Sequence, residues 1–259
     1  MKLYHYTTFT NFCSIWIQQK LKFSEWTNCN DVYEREKTYK FTQLSLEYNG
    51  KRYPPGVLRQ FSSNVFKEVE QYHQLSFCLD YKDIKGYASP MMWGHYARDY
   101  QRSGVCIEIE STKVRPIPKG AKIYEGKVDY NSILAPIHFC GVDAEKTDSA
   151  QIFVIKNRMQ LFFQKHPHWE AENEYRFVSK DCKELDLSEA ITSVYVLEED
   201  DITMQSIKHI VMDTKKISYL NVGGLDSRQL NPMTLYDKEE LQKEMKYIND
   251  NHINIWSTE

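Results

Sequence analysis

Two glutamates and an arginine stand at alternate positions in one short segment, Glu172-Asn173-Glu174-Tyr175-Arg176. In an extended strand, alternate residues face the same side, so the three charged groups would share one face. On a solvent-exposed edge strand such a face is ordinary. In a cleft, two close carboxylates beside a guanidinium would take different protonation states and hydrogen-bonding roles. The segment by itself leaves both interpretations open.

The amino-terminal segment predicts the first element that could face these charges. Apolar and polar residues alternate over Leu3–Tyr6, which is typical of a strand. Such a strand would place His5 and Thr7 on one side. Thr8 or Thr10 would then cap a helix that continues to about Lys20.

The middle of the chain predicts a buried strand followed by a capped helix. Leu75–Leu79 is a short apolar run that contains Ser76, and Ser89-Pro90 has the form of a helix cap followed by a first-turn proline. The helix would carry Trp93 and Tyr96 along one side. Trp93 fits a core position, whereas the Tyr96 hydroxyl needs a hydrogen-bond partner that a ligand could supply.

Asn30 and Asp31 allow two interpretations. Asp31 and Glu34 have the spacing of a capping box that opens a helix toward Leu46. Alternatively, Asn30 and Asp31 line a cleft as polar ligand-binding groups.

The remaining pattern predicts an α+β fold, because strands and helices mix without regular alternation. Further helices are predicted at about 54–71, 148–165 and from 238. Further strands are predicted at 104–110, 122–130, 194–197, 207–212 and 233–236, of which 104–110 and 122–130 are expected to pair. We expect a single domain over 1–259, with the chemistry-bearing motifs within about 1–180 and the strands and helix of 181–259 completing the same domain.

Composition excludes several broad classes of protein. The 259 residues are 41% hydrophobic and 27% charged, as in a globular protein with a substantial core. A formal net charge of −3 provides no general attraction to nucleic acid. The six cysteines are scattered without a Cys-x-x-Cys pair, so we expect reduced thiols. No signal peptide and no membrane-spanning apolar run is seen, which predicts a cytoplasmic protein without membrane contact.

Familiar cofactor motifs are missing from the sequence. It contains neither a phosphate-binding loop of the Gly-x-x-x-x-Gly-Lys-Ser/Thr type nor a Gly-x-Gly-x-x-Gly helix opening. His166, His168 and Cys182 do not have the spacing of a standard zinc site, so no metal is predicted. No serine or cysteine stands in a nucleophile elbow.

Several of these short motifs, taken in order, carry a family resemblance. They are Leu3-Tyr-His-Tyr-Thr7, Asn30-Asp31-x-x-Glu34, Ser76-Phe77, Met92-Trp93-x-His95-Tyr96-Ala97 and Glu172-x-Glu174-Tyr-Arg176. The set resembles a largely bacterial domain family of unassigned function, DUF2971, over roughly the first two-thirds of the chain.

The order of motifs is also similar to that of ADP-ribosyltransferases of the His-Tyr-Glu type. The resemblance implies a split, mostly antiparallel sheet flanked by helices and NAD as the substrate. By the same resemblance, His5 and Thr7 would hold the riboses and the nicotinamide amide, and Tyr96 would stack on the nicotinamide. Tyr6 stands where those enzymes have glycine and would crowd the pocket.

The catalytic residues implied are Glu174, for the reacting ribose, and Glu172, for the acceptor. The other residues expected to contact NAD are His5, Tyr6, Thr7, Asn30, Asp31, Ser76, Trp93, Tyr96 and Arg176. A fixed carboxylate suits this reaction, because cleavage of the nicotinamide–ribose bond builds positive charge at the anomeric carbon. Arg176 would pair with a carboxylate or with the pyrophosphate.

Three functions therefore compete. The first is an NAD-dependent ADP-ribosyltransferase that modifies a protein or nucleic acid, as a toxin or phage-defence effector, with or without a regulatory partner. The second is a non-catalytic module that binds a nucleotide or nucleic acid, which is suggested by Tyr6 in the glycine position. The third is a metal-dependent nuclease or other hydrolase built on Asp31, Glu34, Glu172 and Glu174.

Overall fold

The computed structural model describes residues 1–26, 29, 31, 47–48, 50–97, 104–130 and 142–197, and the backbone of 216–220 and 232–234. Four predictions lie outside these residues: the placement of Asn30, the helix from Glu34, the strand at 207–212 and the helix from 238. Within the described residues, no helix combines the length and apolar character needed to cross a membrane.

Helices and strands follow one another along the described chain in an irregular order. The helices are α1 Phe9–Gln18, α2 Pro55–Val69, α3 Pro90–Tyr96, α4 Ser149–Lys156 and α5 Arg158–Phe162. The strands are β1 Lys2–Thr7, β2 Lys20–Lys22, β3 Ser24–Glu25, β4 Glu47–Tyr48, β5 Lys51–Arg52, β6 His73–Cys78, β7 Val105–Glu110, β8 Arg115–Ile117, β9 Tyr124–Lys127, β10 Glu174–Ser179, β11 Glu184–Asp186, β12 Ile191–Leu197, β13 Lys216–Leu220 and β14 Pro232–Thr234.

A nine-stranded sheet organises the described residues. Its order is β14-β13-β12-β7-β1-β6-β10-β9, with β3 pairing to β6. All neighbours are antiparallel except β12 and β13, which are parallel. A three-stranded sheet, β2-β11-β8, and the pair β4-β5 accompany it. The prediction of an α+β fold with a mostly antiparallel sheet is confirmed.

The predicted pairing of 104–110 with 122–130 is wrong. Strand β7 pairs with β1 and β12, whereas β9 pairs with β10. The intervening residues include β8, which joins the smaller sheet through β11. Alternation of apolar and polar residues identifies a strand, but the partner of that strand is set by distant contacts that the local pattern does not contain.

Two of the helices, α1 and α3, begin at a side-chain cap that the sequence predicts. Thr8 accepts the backbone N–H of Asn11 at the start of α1, and Ser89 accepts that of Met92 at the start of α3. The predicted helix at 148–165 is instead two helices, α4 and α5, separated at Asn157. The Asn157 side chain donates to the Phe153 carbonyl at 2.8 Å, and such local bonding competes with a continuous helix.

The large sheet has a gap along one edge of strand β6. Strands β1 and β6 pair where Tyr4 meets Cys78, and β3 pairs with β6 at the other end, where Ser24 meets Gln74. Between these two points, the edge of β6 around Ser76 has neither β1 nor β3 as its ladder partner. A cleft opens at this edge.

Candidate functional site

The cleft has a volume of about 390 Å³, which lies within the range of small-molecule sites. It is lined by residues from β1, β6, α3 and β10, and by the segment that precedes β10. Seven of the predicted site residues meet there: His5, Tyr6, Ser76, Tyr96, Glu172, Glu174 and Arg176.

Glu174 and Arg176 form a buried, bidentate ion pair on the cleft wall. Only 4% of Glu174 and 1% of Arg176 is exposed. Arg176 Nε donates to Glu174 Oε1 at 2.6 Å, and Nη2 donates to Oε2 at 2.7 Å. The Ser76 hydroxyl also donates to Oε1, and Arg176 Nη1 donates to the Phe162 carbonyl at 2.7 Å. Neighbouring positions on one strand face make this pairing possible, as alternation predicts.

Glu172 reaches the same cleft from a different element. It was expected on the strand face of Glu174, but it ends a 3₁₀ turn, Pro167–Glu172, and β10 begins only at Glu174. Asn173 between them adopts a left-handed backbone, with φ of 42°. Asparagine tolerates this conformation better than most residues, so the chain turns sharply here and alternation does not apply across it.

Lys165 joins the two carboxylates, and sequence reasoning missed it. Its Nζ donates to Glu172 Oε2 and lies 3.5 Å from Glu174 Oε2. Only 4% of the residue is exposed. Two backbone hydrogen bonds hold the Lys165 segment in this position. Lys165 N donates to the Asp129 carbonyl at 3.1 Å, and Asp129 N donates to the Phe163 carbonyl at 2.7 Å.

Two tyrosine hydroxyls also form hydrogen bonds with Glu172 and Glu174. The Tyr96 hydroxyl donates to Glu172 Oε1 at 2.6 Å. The Tyr130 hydroxyl, which sequence reasoning did not single out, accepts the backbone N–H of Glu174 at 3.0 Å. Tyr96 therefore contacts a carboxylate from helix α3, where the sequence predicted it.

The pKa values of the two carboxyl groups are shifted in opposite directions. Burial and the charge of Glu174 raise the pKa of Glu172, and the Lys165 ammonium offsets only part of this rise. Burial also acts to raise the pKa of Glu174, but Arg176, Lys165 and the Ser76 hydroxyl outweigh it and hold that pKa well below its usual range. Paired groups with divergent pKa values suit separate acid–base roles.

His5 is a neutral, half-buried imidazole at the opposite wall. Burial lowers its pKa from 6.5 to about 4, although a hydrogen bond to the Ser76 carbonyl acts in the other direction. Nδ1 lies 3.3 Å from that carbonyl oxygen. Because a carbonyl can only accept, Nδ1 carries the proton and Nε2 is an acceptor at neutral pH.

Tyr6 and Trp93 are held by the protein itself. The Tyr6 hydroxyl donates to the Gly86 carbonyl at 2.5 Å and accepts the backbone N–H of Ser89 at 3.3 Å. Its ring makes an edge contact with Trp93, at 5.2 Å between centroids. Trp93 is buried, and its Nε1 donates to the Tyr87 carbonyl at 2.8 Å, which agrees with a core position.

Thr7 and Asp31 lie outside the cleft. Thr7 lines an adjoining groove of about 500 Å³, which shares Tyr96 and His5 with the first. Asp31 is buried and its Oδ2 accepts the backbone N–H of His166 at 3.4 Å, next to Lys165. The polar residues of the amino-terminal half thus divide between the cleft, the groove and the support of the Lys165 segment.

This arrangement of side chains is poorly suited to binding a metal ion. Lys165 Nζ already stands between Glu172 and Glu174, at the place that a bridging cation would take. Among the described residues, no three His, Cys, Asp or Glu side chains are grouped to hold an ion. Glu34, the fourth proposed carboxylate, lies outside those residues.

Residues 92–177 match the model of a family described as a protein of unknown function, DUF2971. The predicted resemblance to DUF2971 is confirmed over this segment. The matched segment is shorter than the first two-thirds of the chain over which the motifs are spread. It includes Tyr96, Lys165 and the Glu172–Arg176 segment, whereas His5 and Ser76 precede it. Neither curated proteins nor solved structures gave a match to the chain.

Proposed function

We propose that the cleft binds NAD and that the protein transfers ADP-ribose from it to a protein or nucleic acid acceptor. One observation carries this proposal: two buried carboxylates with oppositely displaced pKa values share Lys165 in a cleft of ligand size. Breaking the nicotinamide–ribose bond produces an oxocarbenium-like centre, which nearby carboxylate charge stabilises more than it stabilises the ground state.

The hydrogen bonds support distinct roles for the two glutamates. Glu174 has both oxygens bound by Arg176 and keeps its proton off, so it supplies a fixed negative charge for the developing cation. Glu172 is held by two donors, Lys165 and Tyr96, and has a raised pKa. A raised pKa brings a carboxyl group closer to the range in which it accepts a proton from an acceptor nucleophile.

His5 supports the proposal in a modified form. The resemblance to ADP-ribosyltransferases implies that His5 helps to hold the riboses. With Nδ1 directed at Ser76, the neutral ring presents Nε2 as an acceptor, which suits a ribose hydroxyl that donates.

A non-catalytic nucleotide-binding module is the second candidate, and one contact favours it. Arg176 and Ser76 direct two donors at Glu174 Oε1, and Arg176 and Lys165 direct two at Oε2, so a ribose hydroxyl could bind Glu174 only if these contacts rearrange. A module of this kind would bind NAD without releasing nicotinamide. The hydrolase alternative is less favoured, because Lys165 occupies the space between the carboxylates.

Calorimetric titration with NAD and chromatographic measurement of nicotinamide release test the proposal together. We expect binding, release, and transfer of labelled ADP-ribose to components of a bacterial extract or to added nucleic acid. Glu174→Gln and Glu172→Gln should lower release, whereas Glu125→Gln, an exposed carboxylate on β9, should not. Binding without release would establish the module instead, and the lack of NAD binding would overturn both.

Transfer by a cytoplasmic protein of this kind would fit a bacterial toxin or a phage-defence effector. Expression of the wild-type protein in bacteria would then slow growth, while Glu172→Gln would relieve the effect. Equal growth with both proteins would contradict this role without bearing on NAD binding.

A further inference from the structure

Gln74 lies on the wall of the cleft and has a buried amide oxygen without a hydrogen-bond partner among the described residues. The residue is 7% exposed and lies on β6 among the residues that line the cleft. Its Nε2 donates to Cys29 Sγ at 2.8 Å. Its Oε1 has no hydrogen-bond partner within the described part of the chain. A buried carbonyl oxygen without a partner is costly, because water no longer solvates it.

The position of Gln74 relates it to the reacting groups. Gln74 and Ser76 are two residues apart on one strand, so their side chains face the same way, roughly 7 Å apart along β6. Ser76 donates to Glu174 at the charged part of the cleft. Pairing of Ser24 with Gln74 closes the opposite end of the sheet gap.

The contact with Cys29 fixes which end of the amide is available. Nε2 is bound to the Cys29 sulfur, and Oε1 remains as the unbonded acceptor. An acceptor of this kind selects a ligand that carries an N–H group, and it penalises an analogue with an oxygen in that place, since two acceptors would then face each other.

We propose that Gln74 is a specificity-determining residue whose Oε1 accepts a hydrogen bond from a carboxamide or ring-attached amine of the bound ligand. The inference rests on the proposed function and deepens it, since NAD carries both groups, one on nicotinamide and one on adenine. The subsite discriminates by hydrogen bonding and takes no part in bond cleavage.

Calorimetry with NAD and two analogues identifies the group that Gln74 recognises. Nicotinic acid adenine dinucleotide replaces the carboxamide by a carboxylate, and nicotinamide hypoxanthine dinucleotide replaces the adenine amine by a carbonyl. We expect one analogue to bind the wild-type protein about tenfold more weakly than NAD, the effect of about one hydrogen bond. Gln74→Met removes the acceptor at similar volume and should weaken NAD about tenfold and abolish the discrimination.

The matched control is Gln60→Met, which alters an exposed glutamine on α2 and should leave all three affinities unchanged. Free nicotinamide and free adenosine, each titrated while the side-chain amide signal of Gln74 is followed by NMR, provide a readout that needs neither NAD binding nor the variant. One of the two should shift that signal.

The outcomes separate this inference from the proposed function. If NAD does not bind but nicotinamide or adenosine shifts the Gln74 signal, the proposed function fails and the subsite stands. If NAD binds wild-type and Gln74→Met proteins equally, the subsite is wrong and the function stands. If no probe affects Gln74, the inference is overturned.

Discussion

Buried carboxylates at two places in the fold, Glu108 at one and Glu172 with Glu174 at the other, differ in what holds them. Glu108, on β7, is 1% exposed and is held by hydroxyls: Tyr195 donates to its Oε2 at 2.8 Å and Thr192 to its Oε1 at 2.8 Å. Its cation, Lys2, lies 2.9 Å away and is 60% exposed at the surface. Glu108 lines neither the cleft nor the adjoining groove.

The glutamates of the cleft are instead held by buried cations. Arg176 and Lys165 are both almost inaccessible, and Lys165 is shared by Glu172 and Glu174. Burial raises the pKa of Glu172, whereas Arg176, ahead of Lys165, lowers the pKa of Glu174 against the same burial, so the two values move apart. Burial of a carboxylate is common to both groups. What distinguishes the candidate site is shared buried charge beside a space that can hold a ligand.

The largest expected effect is the loss of stability when Arg176 is removed. Arg176→Met leaves Glu174 buried beside only part of its positive charge, so we expect a loss of about 3–5 kcal/mol in urea unfolding at pH 7. At the other group, Lys2→Met should cost on the order of 1 kcal/mol or less, because Lys2 is exposed.

The pH dependence of Arg176→Met sharpens this comparison. In the wild-type protein the pKa of Glu174 is depressed on folding, so its contribution to stability is present above its unfolded pKa near 4.5 and is lost at lower pH. Without Arg176 the carboxyl group should prefer its proton, and the difference from wild type should shrink as the pH falls. Equal losses for Arg176→Met and Lys2→Met would show that the two groups are alike.

The second prediction concerns reaction rate. Glu172→Gln keeps a hydrogen-bonding side chain but removes the base, so we expect nicotinamide release or transfer to fall by about 10²-fold or more. Glu108→Gln removes a carboxylate from the group without a cleft and should leave the rate unchanged after correction for any loss of folded protein. A similar fall in both variants would assign the effect of Glu172 to structure.

Sequence reasoning found the elements that meet at the cleft but not the bonds among them. Period-two alternation predicted β1, the short apolar run Leu75–Leu79 predicted β6, and the Ser89-Pro90 pair predicted α3, because these signals are local. Alternation also brought Glu174 and Arg176 together. It misplaced Glu172, since the 3₁₀ turn and the left-handed Asn173 interrupt the strand pattern.

Lys165 and Gln74 could not be found from local signals. A lysine at the end of an apolar helix usually reaches solvent, and its burial depends on backbone bonds to Asp129, 36 residues earlier along the chain. Gln74 precedes the apolar run Leu75–Leu79 and becomes informative only when its bond to Cys29 and its unbound oxygen are known. The prediction of a single domain over the whole chain stays a prediction.

The third prediction uses the titration of His5. Burial lowers its pKa from 6.5 to about 4, so His5 binds a proton at a higher pH in the unfolded chain than in the folded protein. The folded protein therefore loses stability as the pH falls from 6.5 to about 4. His5→Gln should lose less stability than wild type between pH 6.5 and 5, measured by urea unfolding. His168→Gln, which replaces an exposed ring, should follow the wild-type curve; parallel curves for all three proteins would exclude a buried neutral His5.

The smallest effect comes from a matched pair of tyrosine variants, since one tyrosine donates to a glutamate in each group. Tyr195→Phe leaves Glu108 Oε2 buried without that donor and should cost roughly 1–3 kcal/mol in unfolding, with NAD affinity unchanged. Tyr96→Phe should cost less, because Tyr96 is only half-buried and Lys165 still holds Glu172.

The pH dependence of nicotinamide release should nevertheless change in Tyr96→Phe and stay unchanged in Tyr195→Phe. The Tyr96 hydrogen bond lowers the pKa of Glu172, so its removal should raise this pKa further. Since Glu172 must be deprotonated to act as a base, the acid side of the pH–rate profile for nicotinamide release should move to higher pH. If the profile moves in Tyr195→Phe as well, or in neither variant, the division between a structural and a reactive carboxylate group would have to be abandoned.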